Sequence, residues 1–165
     1  MAGLSTKAIK TRIKSMQSTR QITKAMELVA ASKLRSAQAK AISSRPYFQT
    51  LYAAMDEIAD TNNDFTSPYL HANPNGKPAY VVIAGDRGLA GGYNNNILKL
   101  AYSQMEEGAA VLPIGKKAVE HFERRKANVL TTAFAEAGDL SVSDCFEISR
   151  LVCQKFLAGE FDEIR

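Results

Sequence analysis

The residues best suited to chemistry lie in a glycine-rich segment, 85–94, which reads Gly-Asp-Arg-Gly-Leu-Ala-Gly-Gly-Tyr-Asn. Glycines at the start of a helix can cradle a phosphate with backbone N–H groups. The spacing here matches neither the dinucleotide-binding fingerprint nor a Walker A loop, and no Lys-Ser or Lys-Thr pair follows. We therefore interpret the segment as a tight turn that uses glycine for unusual backbone angles. Its members of uncertain role are Asp86, Arg87, Gly88, Gly91, Gly92 and Asn94.

Asp86 and Arg87 carry opposite charges at neighbouring positions in this turn. Two roles remain open for them: they pair with each other, or they face a partner protein.

The other candidates for chemistry are weaker. Residues 115–117, Gly-Lys-Lys, suggest an anion site, but no glycine-rich segment precedes them and no Ser or Thr follows, which favours a solvated helix start. His71 and His121 have no nucleophile or carboxylate at a diagnostic spacing, and His121 is interpreted as a surface helix residue. Cys145 and Cys153 lie about 12 Å apart on a predicted helix, too far for a disulfide. We expect no catalytic residue, no cofactor and no metal site.

Strand and helix signals alternate through the second half of the chain. Short apolar runs predict strands, and periodic segments between them predict helices. The predicted strands are 79–84, 109–114 and 128–134, and the predicted helices are 94–107, 116–126 and 141–157. This β-α-β-α-β-α order is typical of a parallel sheet covered by helices, a Rossmann-like α/β domain over residues 79–165. Residues 161–165 resemble the approach to a fourth strand, which we expect to be missing.

Residues 1–60 predict one very long helix, because no Gly and one Pro occur between Ser5 and Asp60. Pro46 predicts a possible kink, and residues 61–78, rich in Asn, Pro and Gly, predict a linker. A helix of this length would measure roughly 80 Å. No other predicted helix is long enough to pack against it, so we expect it to need a partner.

A sustained apolar stripe and a strong positive charge characterise this helix. The stripe follows steps of three or four residues: Ile9, Ile13, Met16, Thr19, Ile22, Met26, Ala30, Leu34, Ala37 and Ala41. Residues 1–45 hold ten basic residues and the single acid Glu27. This pattern favours an antiparallel coiled coil with a second long helix and an acidic partner. Two alternatives are a solvated face and a nucleic-acid-binding helix, and the α/β pattern alone would also fit a nucleotide-binding enzyme.

Three stretches resemble the gamma subunit family of F-type ATP synthase. Residues 21–35, Gln-Ile-Thr-Lys-Ala-Met-Glu-Leu-Val-Ala-Ala-Ser-Lys-Leu-Arg, are similar to its N-terminal helix. Residues 86–94 are similar to its loop after the first strand, and residues 114–117 also match its pattern. Ala90 stands where many family members have Cys. The resemblance covers the whole chain.

The resemblance implies a central-stalk rotor subunit that couples proton flow through the c-ring to ATP synthesis or hydrolysis. The subunit would be non-catalytic and peripheral, on the cytoplasmic face of a bacterial inner membrane. Its partners would be the alpha, beta and epsilon subunits and the c-ring, with Lys24, Met26 and Lys33 facing acidic segments of the beta subunits. The family's second shaft helix is C-terminal in the same polypeptide, and we expect this sequence to be a portion that lacks it.

No run of about 18 apolar residues predicts a membrane span, and the N-terminus lacks the apolar core of a signal peptide.

Overall fold

The computed structural model describes residues 6–61, 67–69 and 76–165, and the chain divides into two compact units, residues 1–65 and 66–165. Most of the predicted linker 61–78, including His71, lies outside the described residues.

The first unit is the helix α1, Thr6–Thr61, which has 56 residues and measures about 84 Å at 1.5 Å per residue. It remains one helix through Pro46, where a kink was predicted. The hydroxyl of Thr50 donates to the Pro46 carbonyl at 3.0 Å. No described residue of α1 is buried within the chain, so its stripe faces solvent along the whole helix.

The second unit contains a four-stranded sheet. Its elements are β1 Pro78–Ile83, α2 Tyr93–Gln104, β2 Ala110–Ile114, α3 Lys116–Arg124, β3 Asn128–Val129, a 3-10 turn Ala137–Asp139, α4 Val142–Leu157 and β4 Glu163–Ile164. The strand order is β3-β2-β1-β4, and every neighbouring pair is parallel. The fold class predicted from the sequence, a long N-terminal helix with an α/β parallel sheet, is confirmed.

Helices cover both faces of this sheet. Successive side chains of a strand point to opposite faces, so the apolar residues of β1 supply a core on each side of the sheet. Tyr80 and Val82 pack with Leu98 of α2 and Phe122 of α3 in one core. The second core joins the other face to α4 through Leu112, Ile114, Val152 and Phe161. Helix α4 begins with a capping box, in which Ser141 and Asp144 each accept a backbone hydrogen bond from the other.

The third strand is much shorter than the predicted 128–134, and Pro113 explains the difference. The carbonyl of Val111 accepts from Leu130 N–H, so residue 111 points its polar groups toward β3. Residue 113 points the same way because hydrogen-bonding direction alternates along a strand. Pro113 has no N–H to donate there. The ladder between β2 and β3 therefore stops after two residue pairs.

The prediction that the last strand is missing is wrong. β4 pairs with β1 in parallel, with Glu163 beside Pro78 and Ile164 beside Ala79. Arg165 extends the ladder, since its N–H donates to Ala79 O at 2.8 Å and its carbonyl accepts from Val81 N–H at 2.9 Å. Phe161, almost fully buried, anchors the chain just before this strand. The buried side chain of Phe161 and the edge of β1 that does not pair with β2 together stabilise a strand of only two residues.

Candidate functional site

The first candidate surface is the exterior of α1. Its large apolar side chains are about half exposed or more, among them Ile9, Met16, Met26 and Leu34. In the described part of the chain the recorded ion pairs all lie in the α/β unit, so the basic side chains of α1 face solvent without an acidic partner. A solvated helix with an apolar stripe and unpaired cations is suited to binding an acidic protein surface and an apolar helix.

The three residues expected to face the beta subunits do not share one side of this helix. At about 100° per residue, Met26 and Lys33 project within roughly 20° of each other, and Lys24 projects from nearly the opposite side. All three are exposed. A single flat partner cannot contact all of them, whereas partners arranged around the helix can.

The second candidate surface is the turn after β1, and Asp86 organises it. Its carboxylate accepts backbone hydrogen bonds from Lys116 at 3.3 Å, Ala137 at 2.9 Å and Gly138 at 3.0 Å. Partial burial opposes ionisation, but the hydrogen bonds from Gly138, Ala137 and Lys116 outweigh it and lower the pKa of Asp86. The Asp86 carboxylate thus binds the backbone at the start of α3 and in the turn Ala137–Asp139, and no ion pair between Asp86 and Arg87 is recorded among the described residues.

Asn94 closes the same turn from the start of α2. Its Oδ1 accepts from Gly85 N–H at 2.8 Å, and its Nδ2 donates to Arg87 O at 3.2 Å. Between these anchors Leu89 adopts a left-handed backbone with φ 62° and exposes 97% of its surface. Asp86 and Asn94 are therefore structural residues that present an exposed loop tip.

The glycines of this turn have different roles. A Cβ would meet nothing within 4 Å at either Gly88 or Gly91, but the φ of +60° at Gly91 favours glycine because other residues adopt it only with strain. A Cβ on Gly92 would lie 3.3 Å from the side chain of Asn96. The interpretation of the segment as a turn agrees with this geometry.

The possible phosphate site at 115–117 is occupied by the protein itself. The N-terminal N–H groups of α3 are used by the Asp86 carboxylate and by Gly85 O, which accepts from Lys117 at 3.1 Å. Gly115 is packed so closely that a Cβ would lie 2.0 Å from Ala84 O. An incoming phosphate would have to displace a carboxylate, so this geometry does not favour a nucleotide-binding enzyme.

His121 is less exposed than the sequence predicted, where it was interpreted as a surface helix residue. Its side chain is partly buried, Nδ1 lies 3.1 Å from Arg125 Nη1, and Nε2 is buried without a hydrogen-bond partner. The Arg125 guanidinium also sits over the Tyr102 ring, 5.6 Å from its centroid. Burial, followed by the charges of Arg125 and Arg124, lowers the pKa of His121.

We expect acid to destabilise the α/β unit through His121. Its pKa is lower in the folded chain than the ordinary 6.5, so unfolding takes up a proton and stability falls as the pH drops below about 6.5. Because His121 is only partly buried, solvent screening keeps the loss of unfolding free energy well below the maximum of roughly 1.4 kcal/mol per pH unit for one proton. Hydrogen exchange of the β2 amides at pH 7 and 5.5 would measure it. In His121→Gln the pH dependence should shrink; an unchanged dependence would contradict the assignment.

Among the described residues, the remaining side chains form no further metal or membrane site. Cys145 is exposed and Cys153 is partly buried, and both are free. Within the described ranges no three potential metal ligands come together. Over the same ranges, no helix is both long and apolar enough to span a bilayer. Sequence reasoning missed the close packing of Gly115 and the exposed Leu89, whose only signal was its position between glycines.

Comparison with known proteins identifies one family. A family model described as ATP synthase matches residues 5–165. The ATP synthase gamma chain of Ruminococcus albus is 41% identical over 164 residues, which cover 96% of this chain and 57% of that protein. That of Pelotomaculum thermopropionicum is 36% identical over 159 residues, covering 94% of this chain and 56% of that protein.

The name of a third relative specifies sodium. The sodium ion specific ATP synthase gamma chain of Acetobacterium woodii is 35% identical over 158 residues, which cover 94% of this chain and 52% of that protein. The chain thus spans about half the length of the curated relatives it matches. Neither the family match nor these relatives indicate nucleic-acid binding.

Proposed function

The chain belongs to the ATP synthase gamma chain family, and we propose that it acts in the central rotor of a bacterial proton-translocating ATP synthase. In this role it couples proton flow through the c-ring to ATP synthesis or hydrolysis in the ring of alpha and beta subunits. The chain itself is non-catalytic and peripheral, on the cytoplasmic face of the inner membrane. The observation that carries the proposal is α1, a 56-residue helix whose described side chains are all exposed.

The chemistry of α1 suits a shaft that moves relative to its neighbours. Its apolar stripe would pack against a second long helix, the family's C-terminal one, while its cations would face acidic beta segments. Exposed ion pairs contribute only about 0.2–1 kcal/mol each. Contacts of this strength attract the acidic segments without holding the shaft in one position.

The α/β unit would then provide the foot of the rotor. We propose that its partners there are the epsilon subunit and the c-ring, and that the loop tip around Arg87 and Leu89 contacts another subunit. The anchoring of this exposed tip by Asp86 and Asn94 supports the last assignment, because a loop already held in one conformation loses little conformational freedom on binding.

Recovery of the native complex tests this function. An antibody against the α/β unit would be used on detergent-solubilised bacterial membranes, and the recovered complex assayed for subunits and ATP hydrolysis. We expect alpha and beta subunits with ATPase activity. Recovery of the chain without either would overturn the proposal.

Charge reversal at Lys24 and Lys33 tests the proposed beta contacts. In the assembled complex reconstituted into vesicles, we expect Lys24→Glu with Lys33→Glu to lower protons pumped per ATP hydrolysed several-fold, because two weak attractions become repulsions. Assembly should persist, since the apolar stripe is untouched. The control Lys10→Glu with Lys14→Glu makes the same change in net charge on the same helix. Coupling equal to that of the control would contradict the contact assignment.

A further inference from the structure

The C-terminal end of α3 brings a histidine and an arginine together, one helical turn apart. His121 is partly buried on α3, and Arg125 is the residue that follows the last helical position. We propose that this pair is a proton-operated switch, in which protonation of His121 releases the Arg125 side chain from α2 into the neighbouring cleft. The switch needs only the α/β unit and no partner subunit.

The contact between the two side chains determines which nitrogen of neutral His121 carries the hydrogen. Arg125 Nη1 lies 3.1 Å from His121 Nδ1. A guanidinium has only donors, so Nδ1 accepts and Nε2 carries the hydrogen. Nε2 is buried, and among the described residues it has no hydrogen-bond partner. A second proton can therefore bind only at Nδ1, the atom that faces Arg125.

Protonation of Nδ1 is incompatible with this position of Arg125. It would turn the acceptor into a donor that faces a donor, and it would bring two cations into contact. Because Nε2 is buried, water can hydrogen-bond to the imidazolium only at Nδ1, which Arg125 covers. Burial, and then the charges of Arg125 and Arg124, already lower the pKa of His121. Movement of Arg125 would relieve the repulsion and admit water at the same time.

Arg125 is weakly held where it is, and carboxylates lie near it. Its guanidinium lies over the ring of Tyr102 in α2, 5.6 Å from the centroid, and this ring is 60% exposed, where such a contact is weak. Both residues line a cleft of about 630 Å³, which is also lined by Glu106, Glu107 and Lys126. In the described part of the chain, no recorded ion pair includes either carboxylate. They can therefore accept the guanidinium when it leaves His121.

Nuclear magnetic resonance on the full 165-residue chain tests the switch. With His71→Gln as background, the imidazole signals belong to His121, because the chain has two histidines. At about pH 8 we expect Nε2 to be protonated and Nδ1 unprotonated. As the pH falls to about 5, the Tyr102 ring signals should shift with the same midpoint as His121. A neutral form with its hydrogen on Nδ1, or Tyr102 signals that do not follow His121, would overturn the proposal.

A matched pair of variants separates the release of Arg125 from a simple loss of charge. Arg125→Met and Arg124→Met each remove one cation at adjacent positions, but of the two it is Arg125 that contacts His121 and Tyr102. Arg125→Met should raise the proton affinity of His121 about threefold or more, and Arg124→Met less than about twofold, because Arg124 acts through charge alone. The pH-dependent shift of Tyr102 should disappear in Arg125→Met only. Equal behaviour of the two variants would contradict the switch.

Glu106→Gln with Glu107→Gln tests where the released side chain goes. At about pH 5.5 the Nε–H of Arg125 should exchange with water faster in this variant than in the wild-type chain, because the guanidinium has lost its acceptors. An unchanged rate of exchange would show that Arg125 does not enter the cleft on protonation of His121.

Discussion

Gly115→Ala is expected to destabilise the α/β unit by about 3–5 kcal/mol, a large fraction of the 5–15 kcal/mol typical of a folded domain. The new methyl would lie 2.0 Å from Ala84 O and 2.9 Å from Ala84 C, and the backbone at Gly115 has φ +91°. Overpacking and a left-handed alanine both oppose the native structure. Neither strand can easily retreat, because Ala84 N–H donates to Ile114 O and Gly115 N–H donates to Phe134 O.

Gly88→Ala is the matched control for this substitution. A Cβ at Gly88 meets no atom within 4 Å, and its backbone is not left-handed, so the expected change is within about 0.5 kcal/mol. Urea unfolding followed by hydrogen exchange of the β2 amides reports on the α/β unit alone. If Gly115→Ala and Gly88→Ala had equal unfolding free energies, the close approach of Gly115 to Ala84 would be disproved.

Asp86→Ala is expected to cost about 2–4 kcal/mol, because three backbone N–H groups lose a charged acceptor. These donors belong to the start of α3 and to the turn Ala137–Asp139, so the loss would loosen both segments. Asp86→Asn should have a smaller effect, since the amide oxygen can still accept. Asp139→Ala removes the same charge from an exposed side chain nearby and should be almost neutral.

The effect of Asp86→Ala should depend on pH. The carboxyl pKa is lower in the folded chain than its ordinary value of 3.8, so the native state favours the ionised form. Its contribution is complete above about pH 4 and is lost as the pH falls through the folded pKa. The difference in unfolding free energy between the wild-type chain and Asp86→Ala should therefore shrink between pH 5 and pH 2. A difference that stays constant over this range would show that the carboxylate charge is not what stabilises the loops.

The local elements could be predicted from sequence because their causes are local. The apolar run before Gly85, the stripe of α1 and the helix predicted over 141–157 each depend on residues within one element. The contacts of Asp86 could not be predicted, because its partners lie 30 to 52 residues away and donate through the backbone. The short length of β3 could not be predicted either, because it depends on whether the backbone of Pro113 faces β3 or β1. Only the pairing of the strands determines that direction.

The properties of α1 that support its proposed role are also local. Its length, stripe and charge follow directly from residue types. The side of the helix on which each cation projects follows from helical geometry. That geometry places Lys24 and Lys33 on nearly opposite sides, so both can contact a partner only if the partner surrounds the helix.

The strand order β3-β2-β1-β4 has a consequence during synthesis of the protein. The strand made first, β1, becomes central, but one of its edges is paired only when β4 is made, with Glu163 pairing to Pro78, 85 residues earlier. At about 5–20 residues per second, the ribosome needs roughly 4–17 s to make that stretch. Throughout this interval β1 presents an apolar strand with unpaired backbone groups, the kind of edge that joins other chains. Shielding of the nascent chain by a chaperone would matter most between the emergence of β1 and that of β4.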